Sequence, residues 1–147
     1  MTAAKETPLD KPLWTILLVE DEEAVRQVTR HVLESEGYLV FEASDPEQAM
    51  AIFRRAEGSI SLLLTDIVMP SMNGGELAAR LRAVRPTLRT VFMSGYSNPA
   101  RGFRENECPA SYLQKPFTAG MLISKVAEAL SLPLGVETPA LERHLPI

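Results

Sequence analysis

Acidic residues, a hydroxyl and an ammonium each accompany a short apolar run in this sequence. Glu20 and Asp21 come after the first run, Asp66 after the third, Ser94 ends the fourth, and Lys115 follows the fifth. Crowded carboxylates repel, and one is forced neutral unless a cation joins them. Hard oxygen ligands on a loop rim suit Mg²⁺, which keeps several waters and takes one or two protein carboxylates. With a lysine and a hydroxyl nearby, such a metal indicates phosphoryl transfer in which an aspartate can be the nucleophile.

These residues can act together only if the chain brings the ends of the apolar runs to one place. The runs are short and nearly continuous, as expected for parallel strands covered on both faces, and helical periodicity fills the sequence between them. We predict strands over 15–19, 38–43, 60–65, 90–94 and 111–114, and helices over 22–36, 46–56, 75–85 and 117–130. This alternation indicates a doubly wound α/β fold with a five-stranded parallel sheet and helices on both faces. Such sheets bind ligands outside the carboxyl ends of their strands, where the candidate residues fall.

Two connecting segments carry the strongest turn signals. Residues 98–109 contain two prolines and a glycine, so any helix there must be short. Pro70 and Gly74 shape the turn that follows Asp66, where a glycine is able to take a positive φ.

The composition bounds the class of protein. A chain of 147 residues can bury one core, and we predict a single domain over 13–131, a disordered tail over 1–12 and a Pro-bearing tail over 132–147. The net charge of −4 argues against direct nucleic-acid binding, which favours a basic face. The one cysteine, Cys108, fits a reducing compartment. Because no apolar run approaches the roughly 20 residues that span a bilayer, we predict a cytoplasmic domain without membrane insertion.

Four motifs, in this order, resemble the receiver domain of two-component response regulators. They are LLVEDE, LLLTDIVMPSMNG, FMSGYS and LQKPF, each at a predicted strand end, and the resemblance covers residues 14–130. It implies the flavodoxin-like strand order 2-1-3-4-5. It also implies a phosphorylation-controlled switch in a two-component phosphorelay, which is not an enzyme but assists its own phosphoryl transfer.

The resemblance implies a role for each candidate residue. Asp66 would accept a phosphoryl group from the phosphohistidine of a histidine kinase or a histidine phosphotransfer protein. Mg²⁺ would be bound by Asp21, Asp66 and the backbone carbonyl of Val68, with Glu20 assisting largely through water. Lys115 would pair with the phosphoryl oxygens. Ser94 would swing in to hydrogen-bond them, and Tyr112 would rotate inward behind Ser94.

The sequence departs from the commonest receiver pattern in three places. The acidic pair is Glu-Asp instead of Asp-Asp, and Ser94 stands where threonine is more usual. The weak helical signal over 98–109 matters most, because in this family the face formed by the last strand and its two flanking helices commonly carries the phosphorylation signal. The phrase MSGYS also recurs in receivers attached to hybrid histidine kinases.

The resemblance also bears on the lifetime of the phosphoryl group and on one peptide bond. The positions two beyond Asp66 and two beyond Ser94, here Val68 and Tyr96, would flank the approach of the hydrolytic water. Neither orients water as Asn, Gln or Glu would, so we predict slow autodephosphorylation. The resemblance further suggests a cis peptide between Lys115 and Pro116.

Two other functions fit parts of the pattern. An enzyme of the haloacid dehalogenase type also uses an aspartyl phosphate and Mg²⁺ on a doubly wound sheet, but it needs an aspartate two residues after the nucleophile, where this chain has Val68. A phosphorylation-independent protein-binding module of the same fold is the second alternative, and the intact site argues against it. A stand-alone receiver and the receiver of a hybrid kinase both fit, and the downstream effector is not named by the sequence.

Overall fold

The structure, a computed structural model, describes residues 14–56, 58–95 and 111–131. Its strands are β1 (Thr15–Val19), β2 (Leu39–Ala43), β3 (Leu62–Asp66), β4 (Arg89–Ser94) and β5 (Tyr112–Gln114). Its helices are α1 (Glu23–Ser35), α2 (Pro46–Ala56), α3 (Gly74–Val84) and α4 (Ala119–Leu130). The predicted tails over 1–12 and 132–147 and the segment 98–109 lie outside the described residues.

The five strands form one parallel sheet in the order β2-β1-β3-β4-β5. This confirms the predicted fold class and strand order. From β1 the chain moves outward to β2 and then crosses back to β3 on the other side of β1. Such a change of direction leaves a crevice at the carboxyl ends of the two strands on either side of it.

Apolar side chains form a separate core layer on each face of the sheet. One layer joins the sheet to α2 and α3, and it includes Ala49, Phe53, Leu77 and Leu81. The other joins the sheet to α1 and α4, and it includes Leu33, Leu122 and Val126. Successive residues of β1 enter the two layers in turn, which explains its continuous apolar run. Among the described residues, no helix is long and apolar enough to cross a membrane.

Side-chain caps set where two of the helices begin. Asn73 Oδ1 accepts a hydrogen bond from Glu76 N at 2.7 Å, and Thr118 Oγ1 accepts one from Met121 N at 3.1 Å. Each cap satisfies an amide that has no partner within the helix. As a result α3 begins one residue earlier than predicted and α4 two residues later. By contrast, α1 begins after Glu22, whose side chain makes no cap hydrogen bond.

Trp14 marks the amino end of β1, at the opposite edge of the sheet from the predicted site. The guanidinium of Arg89 lies over its ring, with 5.4 Å between Arg89 Cζ and the ring centroid, which is a cation–π distance. Trp14 also packs against the core layer beneath α1 and α4.

Candidate functional site

Three carboxylates meet at the carboxyl ends of β1 and β3. Glu20 and Asp21 directly follow β1, and Asp66 is the last residue of β3. Each offers one oxygen, and these three oxygens lie within 4.8 Å of one another. Glu20 and Asp66 are only 1% and 6% exposed, whereas Asp21 is exposed. The structure therefore brings together three of the predicted site residues in a largely buried acidic group.

Lys115 inserts its ammonium into this acidic group from the end of β5. Its Nζ donates to Glu20 Oε1 at 2.7 Å and to Asp66 Oδ2 at 3.2 Å. The backbone also holds it, because Lys115 N donates to the carbonyl of Ser94 at 2.7 Å. The peptide bond between Lys115 and Pro116 is cis, as the resemblance suggested. In this structure Lys115 thus pairs with two carboxylates, and more closely with Glu20 than with Asp66.

The site disfavours the charge of Asp66. Burial raises the pKa of its carboxyl to about 7, and the nearby charges of Glu20 and Asp21 act in the same direction, while Lys115 opposes them. Burial alone would lower the pKa of Lys115, but its hydrogen bond to Glu20 and the charges of both carboxylates raise that pKa. One ammonium therefore only partly offsets three converging carboxylates.

The loop after β3 passes so close to Asp66 that only a glycine fits at one position. A Cβ on Gly74 would lie 2.1 Å from the carbonyl oxygen of Asp66 and 3.1 Å from Ile67 Cα. Gly74 N also donates to the Ile67 carbonyl at 2.7 Å. Among the described glycines, positive φ occurs at Gly37 and Gly58 and not at Gly74. Close approach to Asp66, and not a left-handed backbone, requires this glycine.

The other predicted site residues differ in how deeply they are buried. Ser94 ends β4 and is 2% exposed. Tyr112 opens β5 opposite Phe92, is partly buried and packs against the core layer of α2 and α3. Val68, two residues beyond Asp66, is 48% exposed. Their predicted roles, including that of the Val68 carbonyl, stay predictions.

Two further residues border the site without having been expected. Arg26 Nη1 donates to the carbonyl oxygen of Glu20 at 2.9 Å, and its Nε donates to Glu42 Oε1 at 3.2 Å. Glu20 also accepts a hydrogen bond from Glu22 N at Oε2, at 3.0 Å. The only signal for Glu42 in the sequence is a single acidic residue within an otherwise apolar run, and nothing local links it to Arg26.

The acidic group suits a hard divalent cation. The group includes the exposed residue Asp21, which matches the preference of Mg²⁺ for carboxylate ligands together with retained waters. A divalent cation would also neutralise the negative charge that the single ammonium of Lys115 does not offset. Across the described ranges, no other trio of His, Cys, Asp or Glu side chains has this geometry.

Residues 16–127 match the sequence family described as the response regulator receiver domain. Because this match covers most of the chain, the chain belongs to that family. Receiver domains are signalling domains of two-component systems, and they interact with histidine kinases and downstream effectors.

Curated relatives place similar domains in proteins of very different length. Sensor kinase CckA of Brucella abortus is 37% identical over 136 residues, which cover 87% of this chain and 14% of that protein. The DNA-binding transcriptional regulator NtrC of Azospirillum brasilense is 35% identical over 119 residues, covering 80% of this chain and 24% of NtrC. Response regulator receiver protein CpdR of Brucella abortus is 38% identical over 117 residues, covering 78% of this chain and 95% of CpdR. The chain thus spans under a quarter of CckA and NtrC but nearly all of CpdR.

Solved structures share the fold. The receiver domain of the hybrid histidine kinase CckA is 36% identical with a TM-score of 0.67, over 80% of this chain and 99% of that one. Response regulator TrrA of Thermotoga maritima, in complex with Mg²⁺-BeF, is 28% identical with a TM-score of 0.70, over 80% of this chain and 99% of that one.

Proposed function

We propose that Asp66 accepts a phosphoryl group from the phosphohistidine of a histidine kinase or a histidine phosphotransfer protein, with Mg²⁺ bound beside it, in the cytoplasm. The observation that carries this proposal is the contact of Lys115 Nζ with Asp66 inside a group of three converging carboxylates. A surface aspartate needs neither a partly buried lysine nor two acidic neighbours. Asp66 is the member of the group that ends a central strand, beside the crevice between β1 and β3.

Asp66 supplies the nucleophile in this reaction. A carboxylate oxygen attacks the phosphorus, the new O–P bond forms while the P–N bond of the phosphohistidine breaks, and the imidazole keeps the electron pair. Lys115 Nζ, 3.2 Å from Asp66 Oδ2, can turn from the carboxylate to an oxygen of the transferred group. It thereby offsets charge that the transfer brings into a buried site.

The chain's own oxygen ligands would hold the metal. Asp21, Asp66 and the Val68 carbonyl are the proposed ligands, with Glu20 assisting through water. When bound there, Mg²⁺ offsets the charge of the acidic group and of the phosphoryl oxygens. The complex of TrrA with Mg²⁺-BeF supports this assignment, since it shows a receiver of the same fold with that ion.

The output of the switch would lie on the β5 side of the sheet. Ser94 would move to hydrogen-bond the phosphoryl group, and Tyr112 would turn inward behind it, shifting a two-state equilibrium that a downstream effector reads. The packing of Tyr112 against the α2 and α3 layer supports this proposal, because its movement would alter the surface beside β5. Relatives include both a sensor kinase and a receiver protein of similar length, so either context suits the domain.

Acetyl phosphate with Mg²⁺, followed by intact-mass measurement, tests the proposal. The wild-type chain should gain one phosphoryl group that hydroxylamine removes, and Asp66→Ala should gain none. The control Asp45→Ala removes an aspartate that caps α2 and is not a member of the acidic group, and it should be phosphorylated like the wild type. Hydroxylamine-sensitive phosphate on the Asp66→Ala chain would show that the acceptor has been misassigned.

This measurement, together with an assay for hydrolysis of small phosphate esters, decides between the proposal and its alternatives. A wild-type chain that never gains phosphate would favour a phosphorylation-independent binding module. Rapid turnover of small phosphate esters would indicate a phosphatase of the haloacid dehalogenase type, which family membership and Val68 already oppose.

A further inference from the structure

Arg26 connects the acidic group to the edge strand of the sheet without belonging to the group itself. It lies one turn into α1, and its guanidinium donates to the Glu20 carbonyl at 2.9 Å and to Glu42 Oε1 at 3.2 Å. Its side chain is 16% exposed and that of Glu42 is 30% exposed, so the pair is partly shielded from water. The two contacts use different nitrogens of one planar fork, which fixes the guanidinium in a single orientation.

The segment held by Arg26 is the one that carries two of the three carboxylates. Glu20 and Asp21 lie between β1 and α1, where the start of the helix lacks a side-chain cap. On the sheet side, Glu20 N donates to the Ala43 carbonyl at 3.1 Å. On the helix side, the contact of Arg26 with the Glu20 carbonyl bridges α1 to the end of β1. This contact therefore limits how far the Glu20–Asp21 peptide can rotate away from Asp66.

We propose that Arg26 is a positioning residue for the metal site, acting through the Glu20 carbonyl, and that Glu42 orients Arg26 for this task. The inference rests on the proposed function in so far as it assumes that the acidic group binds Mg²⁺. Arg26 donates its hydrogen bond to the peptide and not to a ligand oxygen. Residues that hold ligands in place in this way commonly change metal affinity by about 10- to 100-fold when they are replaced.

The proposal is testable because the charge of Arg26 and its positioning role predict opposite changes in Mg²⁺ affinity when Arg26 is replaced. A guanidinium near a metal site repels the metal, so removing its charge alone would tighten Mg²⁺ binding. Loss of positioning would weaken binding, because the Glu20–Asp21 segment would gain alternative conformations. Lysine at this position keeps the charge but cannot make two directional contacts from one fork.

The experiment measures Mg²⁺ affinity of the full chain by NMR titration at fixed ionic strength. Arg26→Gln and Arg26→Lys should both weaken Mg²⁺ binding about tenfold. Their phosphorylation with acetyl phosphate should need a correspondingly higher Mg²⁺ concentration to reach half of its maximal rate. The control Arg54→Gln removes the same charge at an exposed position in the last turn of α2, where Arg54 makes no contact with Glu20 or Glu42, and should leave the affinity unchanged.

Each outcome bears on one statement only. Unchanged or tighter binding in Arg26→Gln, or wild-type affinity in Arg26→Lys, would overturn the positioning role. Should Arg26→Gln fail to fold, the affinity of Arg26→Lys decides the question. A wild-type chain that binds no Mg²⁺ would instead refute the metal site of the proposed function.

Discussion

The carboxyl group of Asp66 lies beside two other carboxylates and one ammonium, and burial together with the acidic neighbours raises its pKa to about 7. The proposed nucleophile must be ionised, so burial and the acidic neighbours of Asp66 would also lower its reactivity until a cation binds nearby. A metal ion and Lys115 together would meet that requirement, which ties phosphorylation to metal binding at the level of one side chain.

Mg²⁺ affinity should therefore depend on pH. The proton on Asp66 competes with the metal, so apparent affinity should fall as pH drops through the pKa of about 7. We expect roughly a tenfold loss between about pH 8 and pH 6, measured by NMR titration. Asp66→Asn, which has no proton to lose at this position, should bind more weakly but with a flatter pH profile. A wild-type affinity that is constant over this range would contradict the competition.

The side chain of Val68 should govern the lifetime of the phosphoryl group. It is apolar and 48% exposed at the rim of the site, so it offers an incoming water no hydrogen bond. We expect Val68→Asn to lose its phosphoryl group faster than the wild type, because an amide can orient the water. Intact-mass measurements over time would follow the decay. Val84→Asn makes the same change at a 74% exposed position at the far end of α3 and should not alter the decay. Slower or unchanged decay in Val68→Asn would refute this role. Tyr96, the second predicted position, lies outside the described residues.

At the scale of the elements, the strands were predictable because apolar runs report burial directly. The runs ending at Asp66 and Ser94 correspond to central strands covered on both faces, and parallel strand direction then places their ends together. Contacts between distant segments were not predictable. Arg26 and Glu42 meet across 16 positions of sequence, and each alone resembles an ordinary surface charge. Similarly, no local pattern encodes the path that brings Gly74 against the Asp66 carbonyl.

Gly74 should tolerate no side chain, because α3 begins directly against the peptide of Asp66. We expect Gly74→Ala to lower the free energy of unfolding by about 1–3 kcal/mol or more, measured by urea denaturation. Gly120→Ala is the matched control, since it also lies in the first turn of a helix but its Cβ would meet nothing closer than 3.9 Å. That variant should gain up to about 1 kcal/mol from higher helix propensity. Equal effects at the two glycines would show that the close approach is relieved at little cost.

At the scale of the whole molecule, the core stabilises the sheet whereas the charges of the site destabilise it. Two apolar layers enclose the strands along their length, whereas their carboxyl ends converge in a group of like charges. The stability of the fold must therefore offset a repulsion that serves only the site.

Replacing Asp66 should stabilise the metal-free protein. In the folded state the pKa of Asp66 is about 7 against an ordinary 3.8, so between these values the folded state holds a proton that the unfolded state releases. Stability accordingly falls as pH rises through this window and stays low above it. We expect Asp66→Asn to exceed the wild type in urea midpoint without Mg²⁺, by more at about pH 8 than at about pH 5. A difference in urea midpoint between Asp66→Asn and the wild type that is larger at about pH 5 than at about pH 8 would contradict this linkage.

The only tryptophan of the chain makes such measurements selective. Trp14 is stacked beneath Arg89 at the amino end of β1, and five residues at about 3.3 Å each separate it from the acidic group by about 17 Å. Its fluorescence emission should therefore not change when an ion binds to the native protein, and it should change when the protein unfolds. A Mg²⁺-dependent shift in the midpoint of that optical signal then reports binding energy through mass action alone, with no contribution from direct quenching.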